Sequence, residues 1–188
     1  MNILLLQWKV KLPPQKEVVT SDELMAHLGD CILSIRPQEQ SEGLQLNFQQ
    51  NVNDTMMVLP KLATGLDVNV RFTGVSDFEY TPECIVFDLL NVPLYHGWLV
   101  DPPGLWGPTP AVKEGELSVF FRNNHFSTMI KHKGHLYLLV TDQGFLQEEA
   151  VVWESLHTVD GDSCFCDTHF HLSPALGSAA AQPLPIAV

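Results

Sequence analysis

A chain of 188 residues, 45% of them hydrophobic, is long enough to bury one core, so the sequence predicts a single domain that folds without disulfides or metals. Its formal charge of -12 and its pI of about 4.9 exclude nucleic acid as a partner and disfavour anionic membrane surfaces, because both reward clustered Lys and Arg. A neutral or basic protein partner fits this charge better.

The sequence contains no sign of a membrane anchor or a secretory signal. No run reaches the ~18 apolar residues that span a bilayer, and the start, MNILLLQWKVKLPP, has neither a basic region nor a small-residue cleavage site. The four cysteines are irregularly spaced, which favours reduced thiols over a disulfide framework. We therefore expect a cytoplasmic protein without a transmembrane segment, and nuclear entry stays open.

Three helices are predicted in the first third of the chain. Residues 2–10 are apolar and helix-compatible without a preceding cap, so we expect the chain to begin within a helix that stops before Pro13 and Pro14. A second helix begins with a capping box formed by Thr20 and Glu23 and ends before Pro37. A third helix covers residues 44–63 up to Pro60.

The middle of the chain alternates between extended and irregular patterns. LDVNVRFTG, residues 66–74, alternates like a half-buried strand, and Glu83–Leu90 reads as a short helix followed by a packed extended segment. Proline and glycine then cluster in DPPGLWGPTPAV, residues 101–112, which has no periodicity and predicts a loop or a seam.

From Glu116 onward the pattern predicts an antiparallel β-meander. The segments ELSVFFR, HFSTMIKH, HLYLLVTD and FLQEEAVVWESL are separated by turns at Asn123-Asn124, Lys133-Gly134 and Gln143-Gly144, where Asn and Gly supply the positive φ of tight turns. Residues 173–188 carry no charge and little pattern, so we expect a disordered tail there.

Among the eight histidines, His125 has the position best suited to chemistry. It follows the Asn-Asn turn at the start of a predicted strand, and in papain-like enzymes an imidazole at a sheet edge activates a thiol at a helix N-terminus. Asp142, at the end of the next strand, is a candidate to orient the ring, although a carboxylate there is more often a turn residue. The remaining histidines are expected at the surface or in the core: His27, His96, His132, His135 and His157.

Cys164, Cys166, His169 and His171 form a second candidate, because thiolate and imidazole are zinc ligands. The C-x-C spacing differs from that of structural zinc pairs, and a second cysteine pair is missing. We therefore favour an acidic loop without a ligand, and expect neither a metal nor a cofactor.

Three long stretches resemble one known family. ELSVFFRNNHFSTMIKHKGHLYLLVTDQGFLQEEAVVWESL, PLYHGWLVDP and FQQNVNDTMMVLPKLATGLDVNVRFTG are similar to the catalytic domain of the MINDY family of deubiquitinating enzymes. The resemblance implies an α+β fragment of the papain-like cysteine-protease fold, with N-terminal helices before an antiparallel meander. It also implies a partial catalytic domain over residues 1–172, the seam at 101–115 lying within it.

The function implied by the resemblance is cleavage of polyubiquitin by a cysteine, with preference for the lysine linkage that marks proteins for the proteasome. His125 matches the catalytic histidine of the family. The nucleophilic cysteine of the family lies in a Gln-Asn-Gly-Pro-Cys-Pro-type loop ahead of the helix at NILLLQWKV, and the same loop holds the glutamine assigned to the oxyanion hole. None of Cys31, Cys84, Cys164 and Cys166 matches that position, so this chain is expected to be inactive.

Two further departures concern the middle and the end of the chain. After GWLVDP the relatives continue into a helical portion, where this chain has the proline- and glycine-rich seam, and LSPALGSAAAQPLPIAV has no acidic residue for a ubiquitin-interacting helix. The alternatives are a non-catalytic domain that binds ubiquitin as a decoy, a small zinc module and a chain that does not fold alone.

Overall fold

The computed structural model describes residues 1–16, 18–37, 41–97, 111–156 and 163–173. The chain is divided into two compact units, Met1–His96 and Gly97–Val188. The predicted seam lies outside the described residues apart from 111–115, and the predicted tail lies outside them apart from Ser173. Within the described part, no helix combines the length and the apolar character needed to cross a membrane.

In the first unit, the described residues form four helices and one strand. Its elements are α1 (Asn2–Leu6), α2 (Ser21–Ser34), α3 (Glu42–Leu62), α4 (Pro82–Leu89) and β1 (Leu94–His96). Helix α3 packs against α2 and α4. The core of the unit is aliphatic and includes Leu4, Ile32, Val52, Leu59 and Ile85, so burial of apolar surface is its main source of stability.

Helix α2 confirms the predicted capping box. The hydroxyl of Thr20 accepts a hydrogen bond from the backbone N–H of Glu23, and the carboxylate of Glu23 accepts one from the backbone N–H of Thr20 at 2.9 Å. Two N–H groups that the helix start would otherwise leave unpaired are thus satisfied. The helix ends at Ser34, three residues ahead of Pro37.

Helix α1 is shorter than predicted. It ends at Leu6, because Trp8 adopts a left-handed conformation with φ of 57°. The backbone N–H of Lys9 then donates to the carbonyl of Leu4 and that of Trp8 to the carbonyl of Leu5, which is the hydrogen-bond pattern of a Schellman motif. Such motifs usually place glycine in the left-handed position, so a tryptophan gave no signal of the helix end.

The predicted strand over residues 66–74 is also wrong. Only an isolated bridge forms there, between Val70 and Phe78, with backbone hydrogen bonds from Arg71 to Asp77 and from Glu79 to Asn69. Alternation of apolar residues favours a strand only where a partner strand continues alongside it, and here the pairing does not extend. The predicted short helix is confirmed as α4, with Thr81 accepting a hydrogen bond from Cys84 N–H at its start.

The second unit contains the strands β2 (Leu117–Arg122), β3 (His125–His132), β4 (His135–Leu139), β5 (Trp153–Ser155) and β6 (Phe165–Cys166). Among these five strands, each neighbouring pair is antiparallel, which confirms the three adjacent antiparallel strands predicted after Glu116. Over all six strands the sheet is mixed, so a purely antiparallel sheet was wrong. Strands joined by tight turns must be antiparallel. Strand β1 is separated from β2 by residues 97–116, so a tight turn does not determine its direction.

Two of the three predicted turns have the expected conformation. Asn123 and Asn124 have φ of 51° and 57°, and Lys133 and Gly134 have φ of 49° and 78°; positive φ at both central residues matches the twist of the flanking strands. The third prediction was wrong, because Gln143–Phe145 is a short 3-10 helix. Strand β6 was not predicted, since two residues are too few to show a pattern.

Candidate active site around His125

The two-residue turn between β2 and β3 determines where His125 lies. Asn123 and Asn124 form the turn, Arg122 is the last residue of β2, and His125 opens β3 directly opposite Arg122. His125 is exposed to solvent. The imidazole therefore projects from a hairpin end whose backbone is held by the strand ladder, which is a rigid position for a side chain that handles protons.

Strand alternation places His125 on the more deeply buried face of the hairpin. Residues on one face follow at every second position and match across the ladder, so His125 shares its face with Arg122, Ser127, Phe120 and Met129. Phe120 is 2% exposed and Met129 is fully buried. His125 thus stands at the solvent-facing end of a face that is otherwise packed in the core.

An aromatic pair on the opposite face stabilises the same hairpin end. The rings of Phe121 and Phe126, which lie opposite each other on β2 and β3, have centroids 4.8 Å apart and an interplanar angle of 40°. Cross-strand aromatic pairs add roughly 0.2–1 kcal/mol to a hairpin. The pair flanks His125 in sequence and limits movement of the strand ends that carry it.

The structure does not bring Asp142 to His125 as an orienting group. Strand β4 ends at Leu139, and the β3–β4 ladder runs only from the pair Met129–Leu138 to the pair His132–His135. One carboxylate oxygen of Asp142 accepts a hydrogen bond from the backbone N–H of Gly144 at 2.7 Å, capping the 3-10 helix. Within the described part of the chain, no hydrogen bond joins Asp142 to His125.

Cys164 and Cys166 are too far from His125 to serve as its thiol partner. Cys166 lies on β6, three strands away from β3 along the ladder. Neighbouring strands are about 4.8 Å apart, so the lateral distance alone is roughly 14 Å. Cys164 is held next to β5 by a hydrogen bond from its N–H to Ser155 Oγ at 2.9 Å.

The environments of the cysteines also disfavour a thiolate. Burial raises the pKa of Cys166, with smaller contributions from Cys164 and Asp167. Burial likewise raises the pKa of Cys31, and Asp30 adds to the effect. The thiol of Cys84 is buried on α4 and lies 3.4 Å from the carbonyl oxygen of Glu79. Reactive cysteines need an electropositive, accessible setting, and none of these three has one.

The Cys164–His171 segment contains a tight turn around the carboxylate of Asp167. One carboxylate oxygen of Asp167 accepts hydrogen bonds from the backbone N–H groups of His169 and His171, at 2.8 and 2.9 Å. These backbone hydrogen bonds, the one from His171 first, lower the pKa of Asp167. Among the described residues, no group of three His, Cys, Asp or Glu side chains is arranged to hold a metal ion, so the zinc alternative gains no geometric support.

The remaining histidines have structural surroundings that the sequence did not show. His96 is fully buried and meets the ring of Phe78 edge-on at 5.1 Å, but among the described residues neither of its ring nitrogens has a hydrogen-bond partner. His132 stacks on Phe170 with ring centroids 4.1 Å apart. Phe170 has φ of 63° and also contacts Trp153, so the turn after β6 covers this face of the sheet. His157 lies outside the described residues.

Glu114 is a structural residue that sequence reasoning missed. Its carboxylate accepts hydrogen bonds from the backbone N–H groups of Lys133 and Gly134, the two residues of the β3–β4 turn. The hydrogen bond from Gly134 is the largest contribution to lowering the pKa of Glu114. Glu114 and Gly134 are 20 positions apart in sequence, so no local pattern indicates the contact.

Comparisons with known proteins all match this chain to one family. A family profile described as MINDY deubiquitinase matches residues 1–106 and 103–170. The chain is 66% identical to ubiquitin carboxyl-terminal hydrolase MINDY-1 of Homo sapiens over 229 residues, covering 94% of this chain and 49% of the relative. The Bos taurus MINDY-1 is also 66% identical, over 228 residues, and the Homo sapiens MINDY-2 is 53% identical over 226 residues, with 36% of the relative covered.

The lengths of these alignments show how much of each relative this chain covers. The chain spans about half the length of the MINDY-1 relatives it matches. Since 94% of 188 residues is about 177, about 50 of the 229 aligned positions have a residue in the relative only. The two profile matches meet at residues 103–106, inside the predicted seam.

Proposed function

Since this chain belongs to the MINDY deubiquitinase family, we propose that it is part of a catalytic domain that hydrolyses the bonds between ubiquitins in polyubiquitin chains, and that its fold is a fragment of the papain-like type. The observation that carries this proposal is the position of His125, exposed at the first residue of β3 on the buried face of an antiparallel hairpin. Its partner is ubiquitin, and the preferred linkage is the one that marks proteins for the proteasome.

The proposed role of His125 is to transfer protons. A thiolate attacks the isopeptide carbonyl, His125 having taken the thiol proton, and His125 then returns the proton to the lysine amine that leaves. Water hydrolyses the resulting thioester and regenerates the thiol. An imidazole suits both transfers, because its ordinary pKa lies near neutral pH.

The nucleophile in this proposal is none of the four cysteines of the chain. Cys164 and Cys166 are separated from His125 by roughly three strand spacings, and Cys31 and Cys84 have the burial and hydrogen bonding of structural thiols. We therefore propose that the chain alone does not cleave ubiquitin chains. Loss of a nucleophile costs several orders of magnitude in rate.

A second candidate function is a domain that binds ubiquitin chains without cleaving them. The observation that favours it is that, within the second unit, Cys164 and Cys166 lie roughly three strand spacings from His125. Binding in this alternative requires the recognition surface alone.

We also propose that the seam at 101–115 is the place where the relatives have additional residues, since the two profile matches meet there.

The test compares three proteins on tetraubiquitin of the proteasome-targeting linkage and of one other linkage. These are the chain itself, an extended chain with the Gln-Asn-Gly-Pro-Cys-Pro segment of the family ahead of Met1, and the extended chain carrying His125→Ala. We expect cleavage by the extended chain only, and a loss of at least about 100-fold for His125→Ala, which is the usual contribution of a general base.

Cleavage by the unextended chain would overturn the assignment of the nucleophile, and single Cys→Ser variants of Cys31, Cys84, Cys164 and Cys166 would then identify the thiol. Full activity of the His125→Ala extended chain would overturn the role of His125. A pull-down of tetraubiquitin by the unextended chain, without cleavage, would support the binding alternative. An Asp142→Asn variant with unchanged activity is expected, because Asp142 caps a 3-10 helix.

A further inference from the structure

The outer face of helix α3 carries a line of exposed side chains that the proposed catalytic function does not use. The opposite face of the helix is buried in the first unit through Val52, Thr55, Val58 and Leu59. At about 100° per residue, six residues point away from these four: Glu42, Leu46, Gln50, Asn53, Met57 and Lys61. All six are exposed and follow one another at intervals of three or four, so they form one line along the helix. We refer to them as the α3 stripe.

The α3 stripe is charged only at its ends. Glu42 is the first residue of the helix and Lys61 is the last but one, and the sequence from Gly43 to Asn53 contains no charged residue. Among the described residues, the side chains of Glu42 and Lys61 form no hydrogen bond or ion pair. Leu46 is 72% exposed and Met57 is 77% exposed, and contact with a partner would remove this apolar surface from water.

Two amides in the middle of the stripe keep complementary groups free. The Nε2 of Gln50 donates to Asp54 at 2.7 Å, and the Oδ1 of Asn53 accepts from Gln49 at 3.2 Å. Within the described part of the chain, these are their side-chain hydrogen bonds. The acceptor Oε1 of Gln50 and the donor Nδ2 of Asn53 therefore stay open, and one can pair with the other on a second copy of the stripe.

The order of residues along the stripe is self-complementary. From either end it runs charged, apolar, amide, amide, apolar, charged, and the two charged ends have opposite sign. An antiparallel second helix, with both midpoints between residues 51 and 52, brings like chemistry together and unlike charges together. The facing pairs are Glu42 with Lys61, Leu46 with Met57 and Gln50 with Asn53, each formed twice. A parallel second helix would instead place Glu42 against Glu42 and Lys61 against Lys61, which is repulsive.

We propose that two copies of this chain associate through the α3 stripe as an antiparallel helix pair related by a twofold axis. The dimer is weak, because one helix pair buries less than the roughly 1,200–2,000 Å² of stable interfaces. Two chains that each carry a formal charge of -12 also repel each other. The proposal is independent of the proposed deubiquitinase activity, since it concerns the outer face of α3 alone.

Sedimentation equilibrium of the full 188-residue chain at pH 7 tests the proposal, at concentrations from about 10 μM to about 1 mM, where weak dimers form. We expect a monomer–dimer equilibrium. Glu42→Lys and Lys61→Glu should each raise the dissociation constant about threefold to tenfold, because each creates two like-charge pairs. The double variant Glu42→Lys/Lys61→Glu should recover the affinity of the parent chain, because unlike charges face each other again.

Two controls separate this pairing from net charge and from fraying of the helix. Glu148→Lys and Lys113→Glu change the net charge by the same amounts at exposed residues outside α3, and each should weaken the dimer less than its counterpart in the stripe. Both reversals in the stripe oppose the helix dipole, so fraying predicts that the double variant binds worst. A double variant weaker than both single variants, or a parent chain that stays monomeric at the highest concentration, would overturn the proposal.

Cross-linking tests the antiparallel direction in a Cys164→Ser background, which removes an exposed thiol. Chains with Leu46→Cys and tagged chains with Met57→Cys are mixed and treated with a short bismaleimide. The antiparallel pair places these two positions opposite each other, whereas two copies of either variant hold their new thiols about 16 Å apart along the helix. We expect the mixed product to dominate. Equal or greater yields from either variant alone, or no product at high concentration, would overturn the arrangement.

Discussion

Thiol reactivity separates the four cysteines at the scale of single residues. Cys164 is exposed, whereas Cys84 and Cys166 are buried and Cys31 is intermediate. Burial raises the pKa of Cys31 and Cys166, which lowers their thiolate fraction near neutral pH. We expect a maleimide at pH 7 to modify Cys164 quickly and the other three thiols slowly, with the rates at Cys31 and Cys166 rising as the pH approaches their raised pKa values.

Mass spectrometry of the modified peptides checks this order. In a Cys164→Ser variant the fast phase should disappear, while in a Cys166→Ser variant it should remain. Fast labelling of Cys31 or Cys84 would contradict the order and would show that one of them is activated, in which case our exclusion of the four cysteines as nucleophiles would fail.

Gly97 is a second residue whose environment permits a sharp prediction. A Cβ at this position would lie 2.7 Å from Cζ of Phe120 and 3.2 Å from Cε2. Phe120 is 2% exposed, so its ring has little room to move. We expect Gly97→Ala to lower the free energy of unfolding by about 1–3 kcal/mol, the usual cost of overpacking.

Urea unfolding of Gly97→Ala and of Gly43→Ala provides the comparison. Gly43 lies in the first turn of α3, with no atom within 4 Å of an added Cβ, so alanine there should be neutral or stabilising by up to about 1 kcal/mol. A Gly97→Ala variant as stable as the Gly43→Ala variant would mean that the Phe120 ring moves aside without cost.

At the scale of elements, Glu114 links the segment just before β2 to the β3–β4 turn. Its hydrogen bonds from Gly134 and Lys133 lower its pKa from the usual value of 4.5. A carboxylate with a lowered folded-state pKa contributes stability that is present above pH 4.5 and lost as the pH falls through the lowered value. We therefore expect Glu114→Ala to lower the thermal midpoint at pH 7, with a smaller difference from the parent chain near pH 3.

The measurement is thermal unfolding of the parent chain and of Glu114→Ala at several pH values between 3 and 7. Glu148→Ala is a suitable control, because Glu148 is an exposed carboxylate of the same unit for which no side-chain hydrogen bond is present among the described residues. A difference between parent and Glu114→Ala that is equal at pH 7 and pH 3 would show that the charge of Glu114 plays no part.

The elements predictable from sequence are those whose signals are local. The capping box of Thr20 and Glu23 and the Asn123-Asn124 turn each involve residues close in sequence, and both are confirmed. The second of these locates His125 at the start of its strand. The end of α1 was not predictable, because Trp8 adopts a left-handed conformation that costs free energy for a residue with a Cβ and is usually occupied by glycine.

Features that depend on distant parts of the chain were not predictable in the same way. A strand over residues 66–74 needed a partner that the fold does not provide. The environment of Asp142 depends on the path of the chain after β4. Strand β4 ends at Leu139, and Asp142 then caps a short 3-10 helix, so it does not extend the pairing with β3. The catalytic role of His125 stays a prediction, since position alone does not test chemistry.

At the scale of the whole molecule, charge and exposed apolar surface act in opposite directions. The formal charge of -12 keeps copies apart near pH 7, and it approaches zero at the pI of about 4.9. Several large apolar side chains are exposed, among them Leu46 at 72% and Met57 at 77%, both on α3. We expect self-association to peak near pH 5, where repulsion no longer offsets contacts between such side chains.

Light scattering of the chain between pH 4 and pH 8 measures this balance. A double variant with Leu46→Glu and Met57→Lys keeps the net charge unchanged, because it adds one acidic and one basic residue. It should scatter less than the parent at pH 5 while the pH of maximum scattering stays the same. A maximum that shifts in this variant, or equal scattering by the two proteins, would mean that association depends on other surfaces than this part of α3.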